Sequence, residues 1–114
     1  MSRSITPEQQ AEIQQLQNMS QQLNTLQQNY LQLESKKREL ERTMTAIKDL
    51  EEESEIYRSA GQVLYKTTVA KAKSDLTEEV EILEVRVSKS KKQIEELDKR
   101  VKDKDAQLRA LIQQ

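Results

Sequence analysis

The chain is expected to be mainly α, a long antiparallel two-helix coiled coil with a β-hairpin at the bend. Three observations lead there: two stretches of apolar residues spaced by three and four, a short β-like insert between them, and one proline and one glycine placed where they divide the chain. A conventional globular core is not available, because only 34% of the 114 residues are apolar and the aromatics are three tyrosines. With 34% of residues charged, the composition suits a long helix or a disordered chain.

The first helix is expected over about residues 7–54. Thr6-Pro7-Glu8-Gln9 offers a capping hydroxyl, proline at the first helical position, and a glutamine whose amide can reach back to the cap. From there Leu16, Met19, Leu23, Leu26, Tyr30, Leu33, Leu40, Met44 and Ile47 step by three and four, with Lys37 the one break. Glutamine crowds this segment, and a Gln-rich, aggregation-prone tract is the alternative. The helical spacing of Leu and Met favours the helix.

A second helix is expected over about residues 69–112. Its series is Leu76, Val80, Leu83, Val87, Ile94, Leu97, Val101, Leu108 and Leu111, interrupted by Ser90 and Lys104. Stepping of this kind averages about 3.5 residues, the period that keeps a narrow apolar seam facing a supercoiled partner. If the chain folds back on itself, the position numbers of facing residues must have a constant sum. Ile47 with Leu76 gives 123, Met44 with Val80 gives 124, and the alternation continues to Leu26 with Leu97 and Leu16 with Leu108. No layer is polar on both sides, although a slip of one heptad would also be periodic.

Between the helices, residues 55–68 change character. Tyr57, Tyr65 and the β-branched Ile56, Val63, Thr67 and Thr68 surround Gly61, a hairpin signature in which Ile56–Ser59 turns through Ala60-Gly61 into Val63–Thr67. A structureless loop is the alternative. A two-stranded hairpin is marginal in water and leaves both edges open to pairing, so it asks for partner strands. Ile56, Tyr57, Arg58, Val63, Leu64 and Tyr65 are the expected oligomerisation contacts. The whole of residues 1–114 is expected to be a single domain.

Several function classes are excluded or disfavoured. The chain has no His and no Cys, so imidazole bases, thiolate nucleophiles and the common zinc ligand sets are missing. A lone glycine rules out glycine-rich phosphate loops. No catalytic residue, cofactor or metal is expected, and the chain is not expected to be an enzyme. Glu51-Glu52-Glu53 with Glu55 reads as a solvated helix end rather than a cation site. Residues 1–57 carry 6 basic and 10 acidic groups, and residues 58–114 carry 13 and 10, which is no nucleic-acid footprint. No apolar run approaches the length of a membrane span, and a cytoplasmic location is expected.

Two long helices around one strand-like insert, with Ile56-Tyr57-Arg58-Ser59-Ala60-Gly61-Gln62-Val63-Leu64-Tyr65-Lys66-Thr67 at the bend and Leu83-Glu84-Val85-Arg86-Val87 beyond it, resemble the β-type subunits of the prefoldin family. One hairpin rather than two is the β-type pattern. The resemblance implies a cytoplasmic hexamer of two α-type and four β-type subunits, whose hairpins close into a β-barrel platform bearing six coiled coils. It implies a holdase chaperone that captures unfolded client proteins without ATP and delivers them to a group II chaperonin. Clients would be gripped at the coiled-coil tips, where the two termini meet, by Ile5, Ile13, Leu16, Met19, Leu108, Leu111 and Ile112. The alternative is a cytosolic coiled-coil adaptor or tether that holds no clients; a nucleic-acid-binding helical hairpin is a weaker third reading.

Overall fold

A computed structural model describes residues 4–112, in the order α1 (Pro7–Ile47), β1 (Glu55–Ala60), β2 (Val63–Thr68) and α2 (Val69–Ile112). Residues 1–3 and 113–114, which belong to the expected 1–114 domain, lie outside the described residues.

Helix α1 opens on a reciprocal cap. The Gln9 N–H donates to Thr6 Oγ1 at 3.0 Å, and the Thr6 N–H donates to Gln9 Oε1 at 3.1 Å. Two amide donors are thereby satisfied outside the helical ladder.

The helix stops at Ile47, seven residues short of the expected end near 54, and residues 48–54 form turns instead. Two physical reasons account for the difference. Asp49, Glu51, Glu52 and Glu53 would place four carboxylates at the negative end of the helix dipole, with no basic residue in the last turn to offset them. The carbonyls of Ser54 and Glu52 are also claimed by α2, accepting from the Val69 N–H at 3.0 Å and the Ala70 N–H at 2.9 Å. These are among the donors that a helix start leaves without partners. Lys73 returns the favour, its ammonium donating to the Lys48 carbonyl at 3.2 Å beside a 3.7 Å ion pair with Glu52. The acidic run is therefore a turn that caps α2, not a solvated helix end.

The hairpin pairs β1 with β2 antiparallel, from Glu55 opposite Thr68 to Ala60 opposite Val63. Its two-residue turn is Gly61-Gln62, one position later than expected. Gly61 has φ +62° and no other described residue has positive φ, so the turn has glycine at its first central position, as a type II′ turn requires. Thr68 then caps α2, its Oγ1 accepting from the Lys71 N–H at 3.2 Å.

The described residues group into two compact units, one of residues up to 31 with those from 88 on, and one of residues 32–87. In the second unit Leu40, Ile47, Ala72, Leu76 and Leu83 form the core, joined by Leu33, Met44, Val80 and the hairpin's Ile56. The facing pairs anticipated by the constant sum, Ile47 with Leu76 and Leu40 with Leu83, thus share one cluster. Lys37 keeps its place in the series by extending its ammonium to Glu84 at 3.9 Å. In the first unit Leu26 and Leu97 line one groove, and Tyr30 and Ile94 line another. Both pairs belong to the same register. Met19, Ser90 and Leu108 are its buried residues.

Candidate assembly and client-binding surfaces

The pairing register assigns the hairpin residues to two faces, because opposed residues point the same way and neighbours alternate. Ile56, Arg58, Ala60, Val63, Tyr65 and Thr67 share one face. Glu55, Tyr57, Ser59, Leu64, Lys66 and Thr68 share the other.

The first face is partly used within the chain. Ile56 packs on the core and Thr67 is buried. Arg58 reaches α2, donating to Glu79 Oε2 at 3.1 Å with its side chain only 19% exposed. Ile56 and Arg58, both expected to be assembly contacts, thus also fasten the hairpin to its own helices. Towards the turn this face opens, leaving Val63 and Tyr65 exposed.

The second face is exposed throughout. Tyr57 is 66% and Leu64 71% accessible, and an ion pair across it, Glu55 with Lys66 at 3.0 Å, joins diagonal neighbours. Each strand also pairs on one side alone among the described residues, so each keeps a row of backbone donors and acceptors unclaimed by the sheet. Tyr57, Val63, Leu64 and Tyr65 therefore combine apolar area with two open strand edges, the arrangement that favours pairing with further strands. Ile82 and Val85 of α2, in the same unit, are exposed as well.

At the end carrying the termini, the seven expected client contacts divide by burial. Ile5, Leu111 and Ile112 are exposed, Ile13 and Leu16 are half-buried, and Met19 and Leu108 are buried in the seam. Lys104 sits among them, paired with Glu12 and donating to Gln15 Oε1 at 2.9 Å. Sequence reasoning did not find the partners Glu79, Glu12 and Gln15. Arg58 meets Glu79 across 21 residues and Lys104 meets Gln15 across 89, and no local pattern marks such pairs.

Among the described residues no group of three or more His, Cys, Asp or Glu is placed to hold a metal ion. No helix of the described residues is long and apolar enough to cross a membrane.

A family model described as prefoldin subunit matches residues 10–114. The chain is 29% identical to the prefoldin subunit beta of Thermococcus kodakarensis over 109 residues, covering 96% of this chain and 93% of that one. It is 33% identical to the prefoldin subunit beta of Thermococcus onnurineus over 100 residues, covering 88% and 86%. The crystal structure of the prefoldin beta subunit from Thermococcus strain KS-1 superposes with a TM-score of 0.84 at 29% identity, covering 97% of both chains. With its helices, hairpin and sequence all matched in this way, the chain belongs to the prefoldin subunit family, a family of chaperones and not of enzymes, and its likeness is to the β-type subunits.

Proposed function

We propose that this chain is a holdase subunit that captures unfolded polypeptides without ATP and passes them to a group II chaperonin, working as one of four β-type subunits beside two α-type subunits in a cytoplasmic hexamer. The observation that carries the reading is the hairpin. It has two open edges and exposed Tyr57, Val63, Leu64 and Tyr65, which suit closure with the hairpins of other subunits into a shared barrel. The exposed Ile5, Leu111 and Ile112, with Ile13, Leu16, Met19 and Leu108 beside them, supply apolar surface for clients where the start of α1 and the end of α2 pair. Contact by aliphatic side chains on adaptable helix ends carries little sequence preference, as a general holdase needs.

Two measurements on the complex purified from its own cells test the reading. Native mass spectrometry should return a hexamer containing a larger companion chain, and Tyr65→Asp should shift that mass downwards. Removing residues 1–16 and 108–114 should abolish suppression of client aggregation while the hexamer persists. A monomer or simple dimer, or full suppression by the truncated complex, would refute the corresponding half of the proposal. Selective binding of one folded partner with no suppression would favour an adaptor instead.

A further inference from the structure

The apolar series of α1 steps back from Leu16 by four residues to Glu12, so Glu12 occupies a seam position, as Lys104 does on α2. In the antiparallel register Lys104 lies opposite Met19, and both line one groove; Glu12 lies opposite Leu111, and both line another. The two charged residues therefore bracket the Leu16–Leu108 layer from either side. They meet across it, Lys104 pairing with Glu12 and donating to Gln15 Oε1 at 2.9 Å, with its side chain 21% exposed. Both partners are on the opposite helix. The neighbouring pairs, Lys102 with Asp98 and Arg109 with Asp105, are each four residues apart within α2 and hold nothing across the seam.

Beyond the Lys104 layer only one fully apolar layer remains, Leu16 with Leu108. A lysine in a coiled-coil seam fixes register at a cost in stability, and its ammonium regains full hydration when the helices part. Opening should therefore begin in these last turns. It would uncover Leu16, Met19 and Leu108, the last two being 8% and 4% exposed when the end is closed.

We infer that Lys104, with Glu12 and Gln15, is a polar clasp that sets how often this end of the coiled coil opens, and thereby how much of Leu16, Met19 and Leu108 it offers to an unfolded polypeptide. The inference rests on the terminal end being the client site. Glu12 and Lys104 are parts of the clasp and not contacts to the client.

The test uses the assembled complex carrying Lys104→Met or Glu12→Ala, with hydrogen exchange read over residues 7–19 and 101–112 and aggregation of guanidinium-unfolded citrate synthase read alongside. Lys104→Met completes the apolar seam and should raise protection there about tenfold or more. Glu12→Ala removes one partner and should lower it by roughly two- to fivefold. Suppression of aggregation should change in the opposite sense, weaker with Lys104→Met and stronger with Glu12→Ala. Unchanged protection in Lys104→Met would overturn the clasp. Raised protection with undiminished suppression would overturn the link from opening to capture while leaving the holdase reading intact. A wild-type complex that suppresses nothing would remove the holdase reading and this inference with it, and is recognised before any variant is made.

Discussion

Adjacent threonines at the end of β2 are expected to respond to the same substitution with opposite signs. Thr67 is 8% exposed, faces the core opposite Ile56, and its Oγ1 meets no hydrogen-bond partner within the described residues. A buried hydroxyl without a partner costs about 1–3 kcal/mol. Valine has the same shape, is equally at home in a strand, and exchanges the hydroxyl for a methyl group that gains from burial. Thr67→Val should therefore stabilise the protein by about 1–2 kcal/mol, less than the full penalty because the chain relaxes around the hydroxyl. Thr68, one residue on, is exposed and uses its Oγ1 to accept from the Lys71 N–H at 3.2 Å, as the cap of α2. Thr68→Val loses that cap and should cost about 1 kcal/mol. Urea unfolding followed by helical circular dichroism measures both, at one fixed protein concentration because assembly and stability are linked. With a slope of about 1–3 kcal/mol per molar urea, the Thr67→Val midpoint should rise by roughly half a molar or more and the Thr68→Val midpoint should fall by a similar amount. A destabilised Thr67→Val would refute the argument, since it would mean that the hydroxyl has a partner in the assembled protein.

Two further substitutions test the local geometry. Gly61→Ala should destabilise the hairpin by about 1–2 kcal/mol, with Gly61→Asn tolerated better. An added Cβ would meet nothing within 4 Å, so the cost is that of φ +62° alone, readable as a lower melting temperature. Thr6→Ala should release the reciprocal cap with Gln9 at a cost of about 1 kcal/mol, seen as faster amide exchange in the first turn of α1 with the hairpin unaffected.

Elements written in local chemistry are legible in the sequence. The cap at Thr6 needs only four consecutive residues, and the seam needs only its period, which is why facing pairs such as Leu40 with Leu83 could be named by adding their positions. The end of α1 was not legible, for a reason the residues make plain. Leu50 lies three after Ile47, a spacing a helix can still use, and periodicity does not weigh the carboxylates that oppose the helix dipole. The other cause of the stop, the claim that the start of α2 makes on the carbonyls of Glu52 and Ser54, is an event in space and not in sequence. The hairpin turn moved by one residue because a glycine can take either central position, and the strand pairing decides which.

The candidate surfaces were legible as residue types but not as exposures. Alternation along the hairpin separates two faces, yet nothing in it says that Arg58 will be drawn to Glu79 while Tyr57 and Leu64 remain uncovered. The residues that carry the resemblance are 56–67 and 83–87, whereas the family model runs from 10 to 114. The difference is physical. A hairpin that pairs with other strands constrains each of its side chains, while a coiled-coil seam accepts many aliphatic residues at the same period and so asks for a pattern and not for particular residues. Where the seam departs from that freedom it becomes informative. Lys37 and Lys104 both keep their stems in the seam and send their ammoniums to acidic partners on the other helix, but Lys37 has fully apolar layers of its own unit on the hairpin side, and Lys104 has only Leu16 with Leu108 between it and the chain ends. The same residue type thus fixes register in one place and leaves the end free to open in the other.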